Sequence, residues 1–221
     1  MAHFSHHSEE NYLKTLYKLY GKEVKKVNNT ALSKELNLNP ATVLEMVRKL
    51  ATRKLVKMMP DKSIQLTESG KKTALLTIRK HRLWELFLVE KLHFKWNEVH
   101  ELAEQLEHVE SGDMIDRLDA FLGYPPFDPH GDPIPDRNGN LKTNISVPLS
   151  NSAAGKNYVV VNLADTTDAF LQYLEKLGIK PGAKIKLVEH NRYDNSTTVL
   201  LQKSNIQLSE KAARNILVQP G

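Results

Sequence analysis

The chain has 221 residues, 40% of them hydrophobic, and a formal net charge of +5, which allows two or three small domains, each with its own core. It contains no cysteine, which excludes disulfide bonds and thiolate ligands to a metal. Neither a membrane-length apolar run nor a signal-peptide core is present, so we expect a cytoplasmic protein without a membrane partner. Residues 1–73 hold 14 Lys and Arg against 7 Asp and Glu, which indicates either a polyanionic partner or merely a solvated basic surface.

The N-terminal third follows the order helix, short helix, turn, helix and β-hairpin. Apolar spacing predicts a first helix over Ser8–Tyr20, and Thr30 is the predicted cap of the short helix. Pro40, at a first-turn position, opens a longer helix to Thr52, and two short strands flank a turn at residues 60–62. This order predicts a winged helix-turn-helix over residues 1–73, with a small structural helical hairpin as the alternative.

The middle of the chain, residues 74–142, is predicted to be a helical domain. One helix begins at Thr67 and runs to about Lys91, and two more cover residues 97–109 and 112–122. Their apolar side chains are sufficient for a helical core with a surplus that favours a homodimer contact. A Pro-, Gly- and Asp-rich loop then ends the helical body.

The last part of the chain changes to a strand-rich pattern. Residues 143–156 are polar and typical of a linker, and residues 157–221 alternate short strands with one helix. We predict a small SH3-like β-barrel there. The expected fold class is therefore mainly α with small β elements.

Two helical segments carry metal-type ligands. His81 and Glu85 lie four residues apart, a spacing that is also common for a simple surface hydrogen bond. If the helix over 97–109 is continuous, its four ligand-type side chains project within roughly 100° of one another. These four residues are His100, Glu104, Glu107 and His108. Nitrogen and oxygen ligands without sulfur favour Mn²⁺ or Fe²⁺.

The combined motifs resemble the diphtheria-toxin-repressor family of metal-dependent transcriptional repressors, over nearly the whole chain. NYLKTLYKL is similar to the family's first helix, and ALSKELNLNPATVLEMVRKLATRKLV to its helix-turn-helix. IQLTESGK is similar to the exit from its wing, and RKHRLWE and H-x3-E-x2-E-H to its metal-binding helices. DPHGDPIP resembles the loop that ends its dimerisation domain, and the C-terminal part resembles the SH3-like domain related to ferrous-transport accessory proteins. The resemblance implies a homodimer that binds double-stranded operator DNA when it carries a divalent metal ion.

The resemblance also implies two metal sites. The primary site would use Glu104, Glu107 and His108 together with Asn11 of the first helix. The family usually has Met or Asp at the position of Asn11. Glu9, Glu10 or a water molecule are therefore alternatives to Asn11 as the first-helix ligand. The iron-responsive branch has Cys at position 104, whereas Glu is typical of the manganese-responsive branch, which favours Mn²⁺ with Fe²⁺ as the alternative. The second site would use a further set of side chains: His81, Glu85, His100, and from later in the chain Asp165, Asp168 and His130.

The winged helix-turn-helix places the DNA contacts on the helix that Pro40 opens. Base contacts are expected from the start of this helix, at Asn39, Ala41, Thr42 and Glu45, and Pro40 belongs to the same DNA-facing segment. Phosphate contacts are expected from Lys49, Arg53 and Lys62. The sequence leaves two other classes of protein as alternatives. A zinc protease would need a second His where Glu104 stands in the H-E-x-x-E run, and a metal carrier would lack DNA binding.

Overall fold

The structure, a computed structural model, describes residues 2–21, 26–109, 111–142 and 145–221, with the side chains of the first helix from Glu9 onward. The chain divides into two compact units. The first contains Met1–His81, Leu106–Asp116 and Pro135–Leu141, and the second contains Arg82–Gln105, Arg117–Ile134 and Lys142–Gly221. Among the helices described, none has the length and apolar composition that crossing a bilayer requires.

The first unit contains the predicted winged helix-turn-helix. Its elements are α1 (Ala2–Gly21), α2 (Asn29–Leu36), α3 (Pro40–Thr52), β1 (Val56–Met58) and β2 (Ile64–Leu66). The two strands pair antiparallel, with Lys57 opposite Gln65. Leucines and valines on the inner faces of α1, α2 and α3 form one buried core with the wing, and Leu13, Leu16 and Val47 are fully buried in it. This packing fixes α3, the predicted recognition helix, against residues 13–19 of α1.

Side-chain caps decide where the two short helices begin. Asn28 caps α2, because its Oδ1 accepts a hydrogen bond from the backbone N–H of Ala31 at 2.9 Å. The predicted cap, Thr30, instead lies in the first turn, so that prediction was wrong by two residues. Helix α3 begins at Pro40 as predicted, since Asn39 caps it and proline has no N–H to leave unsatisfied.

Three helices follow the wing: α4 (Glu68–Leu92), α5 (Val99–Leu106) and α6 (Gly112–Phe121). Helix α5 is shorter than predicted. Its last turn closes when the N–H of Val109 bonds the carbonyl of Leu106 at 3.2 Å, so Glu107 and His108 lie in a turn beyond the helix. The four ligand-type residues of this segment therefore do not share one helix face, because the helix ends between the second and the third of them.

The C-terminal part of the second unit is a six-stranded antiparallel sheet in the order β3-β8-β4-β5-β6-β7. Its elements are β3 (Val147–Pro148), a 3-10 turn (Leu149–Asn151), β4 (Asn157–Leu163), α7 (Asp168–Leu177), β5 (Lys184–His190), β6 (Thr197–Leu201), β7 (Ser204–Leu208), α8 (Glu210–Asn215) and β8 (Ile216–Pro220). The edge strands β3 and β7 do not pair with each other in the described chain. The sheet is therefore SH3-like and barrel-like without closure, and the predicted fold class is confirmed.

Two elements of this sheet differ from the sequence analysis. Within the predicted linker 143–156, of which residues 143–144 lie outside the described chain, Val147 pairs with Val218 and Leu149 is fully buried. A strand of two residues is too short to show an alternation of polar and apolar side chains. The sequence of this segment therefore has the composition of a linker. Helix α8 had no prediction, although Ser209 caps it by accepting a hydrogen bond from the N–H of Ala212.

Candidate metal centres and DNA-binding surface

Glu107 is the centre of a buried polar cluster in the first unit. Its carboxylate is fully buried, with Oε1 at 2.5 Å from Nζ of Lys14 and Oε2 at 2.6 Å from Nδ1 of His81. Helix α1 supplies the lysine and α4 the histidine, while the turn after α5 supplies the carboxylate. A buried carboxylate is tolerated only when cations or hydrogen-bond donors surround it, and here both oxygens are engaged.

His108 extends this cluster to a second carboxylate. Its Nδ1 lies 2.7 Å from Oε2 of Glu10, and its Nε2 lies 3.7 Å from Oε1 of Glu107. The other oxygen of Glu10 lies 3.0 Å from Nζ of Lys80. Burial acts to raise the pKa of Glu10, but the hydrogen bond to His108 and the Lys80 ammonium outweigh it and hold that pKa below its ordinary value. Glu10 is therefore ionised at neutral pH and suited to a cation.

Asn11 adds a buried oxygen near the same turn of α1. Its Oδ1 is buried and accepts no hydrogen bond from the part of the chain that the structure describes. Such an acceptor is destabilising unless a cation or a donor reaches it. Of the three first-helix alternatives, Glu10 contacts His108, Asn11 offers an unsatisfied oxygen, and Glu9 instead contacts α3. Glu104 lies half-buried on α5, and its role as a ligand stays a prediction.

A second cluster lies within the second unit. Glu85 of α4 and Asp128 and His130 of the Pro-rich loop are all buried, and each can offer one ligand atom within 4.8 Å of the others. Nδ1 of His130 is 3.9 Å from Glu85 Oε2 and 4.0 Å from Asp128 Oδ1. Its Nε2 lies 2.9 Å from the carbonyl of Trp96. A carbonyl only accepts, so Nε2 carries a proton, and in the neutral form of the ring Nδ1 presents a lone pair to the cluster.

Asp128 has a strongly altered acidity. Burial raises its pKa to about 7, with help from Glu85 and Asp132, while Arg82 and His130 act in the opposite direction. A buried carboxylate of this kind is destabilising when ionised unless a cation is present. The three donors fit a divalent ion of Mn²⁺ or Fe²⁺ type, since they are oxygen and imidazole ligands.

The loop that carries Asp128 is held from two sides. Arg82 of α4 lies 3.5 Å from Asp128 and 3.2 Å from Asp132, and Asn162 of β4 donates to Asp132 at 3.0 Å. Gly131 has φ +90°, and a Cβ there would lie 2.0 Å from the carbonyl oxygen of Val161. Only glycine allows this close approach of the loop to β4.

Sequence reasoning named His130 but missed Asp128. The available signal was the D-P-H-G run itself, in which Asp128 Oδ1 accepts the backbone N–H of His130 at 2.8 Å. The spacing reveals the turn, but it does not reveal that Glu85, far away in sequence, meets it. Of the other predicted second-site residues, His100 lies 3.2 Å from Glu85.

The remaining second-site predictions are on the sheet side and on α4. Asp165 accepts the N–H of Thr167 at 2.9 Å, in the turn before α7, and Asp168 is the exposed first residue of that helix. Neither belongs to the three-residue cluster within the described chain. His81 directs Nδ1 to Glu107 in the first unit. The roles of these three as ligands stay predictions.

The recognition helix exposes most of the predicted DNA-contacting side chains. Ala41, Thr42 and Glu45 are exposed on α3, and Lys62 is exposed at the wing, where its φ is +67°. Asn39 is also exposed. Its Oδ1 accepts the N–H of Ala41 at 2.8 Å, so its amide N–H groups and the second lone pair of Oδ1 remain for a base. Two further residues, Lys49 and Arg53, pair with Glu9 of α1.

An exposed aromatic patch lies at the ends of α4 and α6. Phe121 is 65% exposed, and its ring centroid lies 6.3 Å from that of Phe87. Leu92 follows Phe87 by five residues and Tyr124 follows Phe121 by three, and these two side chains are also exposed, at 52% and 72%. Exposed apolar side chains of this kind are typical of interaction surfaces. The dimer contact expected from the surplus of apolar side chains stays a prediction.

Three family models match the chain in series. Residues 5–64 match the N-terminal DNA-binding domain of iron-dependent repressors, and residues 67–136 match the metal-binding and dimerisation domain of the same proteins. Residues 147–220 match the FeoA domain. Together these matches span the described helix-turn-helix, the helical segment and the sheet.

Relatives and solved structures agree with these matches. The iron-dependent repressor IdeR of Mycobacterium tuberculosis is 30% identical over 225 residues, covering 95% of this chain and 96% of its own length. The diphtheria toxin repressor of Corynebacterium diphtheriae is 27% identical, covering 95% of this chain and 96% of its own length. A manganese-dependent transcriptional repressor solved with manganese is 32% identical with a TM-score of 0.85, covering 96% of this chain and all of its own. The manganese regulator SloR is 30% identical with a TM-score of 0.75, covering 96% and 98%.

Proposed function

This chain belongs to the iron-dependent repressor family, whose members include the diphtheria toxin repressor, and on that premise we propose that it is a homodimer that binds operator DNA when loaded with Mn²⁺. Fe²⁺ is the alternative metal. The family is one of metal-dependent transcriptional repressors, not of enzymes, so the protease and carrier alternatives are set aside. A repressor acts where the chromosome is, which places the protein in the cytoplasm.

The observation that supports this proposal most is the contact of the partly buried Glu10 with the buried His108, which in turn contacts the buried Glu107. Their ligand atoms lie 2.7 to 3.7 Å apart along the cluster, between α1 and the turn after α5. We infer that a metal ion there is held by these three residues, with Asn11 as a further ligand. The ligand role of Glu104 stays a prediction. All the donors are oxygen or imidazole nitrogen, the ligand types that hard and borderline divalent ions take.

The second cluster supports a second ion. Glu85, Asp128 and His130 converge within 4.8 Å, and the carbonyl of Trp96 orients the imidazole. We infer that these three residues are the main ligands there, and His100, Asp165, Asp168 and His81 stay as predicted additions. A bound cation would neutralise the carboxylate pair that burial destabilises.

The link from metal to DNA is thermodynamic coupling through α1. This helix carries Glu10 on one side, while Leu13 and Leu16 pack in the core that also holds the recognition helix α3. A ligand that binds better when α1 and the turn after α5 are held together shifts the population towards that arrangement. By the same coupling, operator DNA that prefers the arrangement strengthens metal binding.

The choice of Mn²⁺ rests on Glu104 and on the relatives. In the family resemblance this position is Cys in the iron-responsive branch, and a carboxylate is a harder ligand than a thiolate. Two of the similar solved structures are described as manganese regulators, whereas the IdeR relatives are described as iron-dependent repressors. Intrinsic affinity favours the later transition metals over both, so availability in the cell also decides.

The DNA and dimer parts of the proposal use two surfaces. The exposed first turns of α3 would enter the major groove, and the exposed wing residue Lys62 would contact phosphate. The aromatic patch around Phe121 is suited to a second copy of the chain, because two-fold dimers bury one self-complementary patch. Two recognition helices then bind two half-sites of a pseudo-palindrome.

The test is a DNA-binding titration under anaerobic conditions with Mn²⁺, with Fe²⁺ and with chelator. We expect Mn²⁺ at micromolar concentration to promote operator binding by the wild type. His108→Ala should lose this response. His93→Asn is the matched control, since it also removes an imidazole, and Asn tolerates the left-handed φ of +57° at that exposed position. Activation by Fe²⁺ alone would overturn the choice of metal, and metal-independent binding would overturn the function.

A further inference from the structure

One buried carboxylate of α1 holds two of the basic side chains at the C-terminal end of the recognition helix. Glu9 is only 3% exposed. Its Oε1 lies 3.1 Å from Nζ of Lys49, and its Oε2 accepts a hydrogen bond from Nη1 of Arg53. Both basic side chains remain about half exposed, at 48% and 44%. Each therefore stays accessible to solvent while the carboxylate holds its head group.

The neighbouring residue of the same turn faces the metal-type cluster. Glu10 contacts His108 at 2.7 Å and Lys80 at 3.0 Å. Successive residues of a helix point about 100° apart. One turn of α1 therefore presents adjacent carboxylates to two different partners, Glu9 to the end of α3 and Glu10 to the cluster of Glu107 and His108. A displacement of this turn would move both sets of contacts together.

The pairing of Glu9 ties Lys49 and Arg53 to this turn of α1. A buried carboxylate that loses its cations is strongly destabilising, so Glu9 retains its partners when α1 moves. An arginine on a carboxylate is held in a fixed planar geometry, with its other N–H groups aimed in set directions. The two long side chains are thereby ordered before any phosphate arrives, which removes part of the entropic cost of binding.

We propose that Glu9 is a positioning residue through which metal binding at α1 controls the phosphate contacts of Lys49 and Arg53. This inference rests on the proposed function. When the turn of α1 is held by the metal cluster, the two basic groups are held where the DNA backbone passes. When that turn is free to move, the same carboxylate carries the two groups away and neutralises part of their charge.

The experiment compares wild type with Glu9→Gln, which keeps the shape and one acceptor oxygen but removes the charge. Mn²⁺ affinity without DNA, measured by competition with a fluorescent chelator, should stay within about twofold. The ratio of DNA dissociation constants without and with Mn²⁺ should fall at least fivefold, mainly because metal-free binding becomes tighter. In the metal-free state the salt slope should steepen by roughly 0.9, since one more phosphate is neutralised per subunit. Glu68→Gln, the same change at an exposed residue of α4, should alter none of these.

Two further variants make the outcome decisive. In a Lys49→Gln/Arg53→Gln background, Glu9→Gln should have no added effect on DNA binding, because its partners are absent. Glu9→Asp, which keeps the charge, should recover most of the wild-type ratio. An unchanged ratio and salt slope in Glu9→Gln, or an effect that persists in the double background, overturns the proposal. A parallel loss of Mn²⁺ affinity overturns it as well, because Glu9 would then be a ligand. Failure of the proposed function is separate, since it appears as a wild type that does not respond to Mn²⁺.

Discussion

Asp128→Asn is the substitution with the clearest expected signature. The pKa of Asp128 is raised from 3.8 to about 7 by burial and by the neighbouring carboxylates of Glu85 and Asp132. The folded state therefore holds this proton more tightly than the unfolded state does. Its stabilising effect is complete below about pH 4 and is lost as the pH rises to about 7. At 1.36 kcal/mol per pH unit, the shift corresponds to an upper limit of roughly 4 kcal/mol.

The asparagine variant removes this titration while keeping the loop. Its side-chain oxygen still accepts the backbone N–H groups of His130 and Asp132, which Asp128 accepts at 2.8 and 3.0 Å. In chelator, we expect the variant to gain stability over wild type by roughly 2 to 3 kcal/mol between pH 5 and pH 7. Saturating Mn²⁺ at 100 times its dissociation constant should stabilise wild type by roughly 2.7 kcal/mol and the variant by much less.

The assay is urea unfolding followed by tryptophan fluorescence. Both tryptophans of the chain, Trp84 and Trp96, lie in the second unit, and Trp96 stacks on His130 with ring centroids 5.9 Å apart. Asp194→Asn is the matched control, because that carboxyl is exposed in the same unit and hydrogen bonds to Ser196 lower its pKa. If wild type and the Asp128 variant had parallel pH profiles and equal Mn²⁺ stabilisation, both the buried acidity and the metal site would be refuted.

Three other outcomes test the remaining parts of the structure. Gly131→Ala should lower the free energy of unfolding of the second unit in urea by roughly 2–5 kcal/mol, because of the positive φ and the overlap of the new Cβ with the carbonyl of Val161. The control Gly155→Ala, at φ +82° with open space around it, should cost only roughly 1–2 kcal/mol. Glu107→Gln should lower the unfolding free energy of metal-free protein by roughly 3–5 kcal/mol, because it breaks a fully buried ion pair, and an unchanged thermal midpoint would contradict the network. Lys62→Ala should weaken binding to all DNA sequences alike and flatten the salt slope by roughly 0.9 per subunit; altered base preference with an intact slope would mean that the wing does not contact phosphate.

Most helices and strands of this protein are determined locally. Pro40 after a capping Asn39 sets the start of the recognition helix, and helical apolar spacing predicts α4 and α6 to within a residue or two. These signals are strong because they depend on neighbours within one or two turns. Where two capping residues compete over a few positions, as Asn28 and Thr30 do, the sequence pattern does not decide between them.

The candidate sites depend on contacts that sequence spacing does not contain. His108 meets Glu10 across 98 positions, and His81 meets Glu107 across 26, because helix packing brings their elements together. The single-face arrangement predicted from spacing was wrong, since α5 ends before Glu107. Asp128 became a candidate ligand only when the loop docked on α4 and β4. The sequence by itself determined which residue types were available for a metal and for DNA; only the tertiary structure decided which of them meet, since burial and charge pairing act through space rather than along the chain.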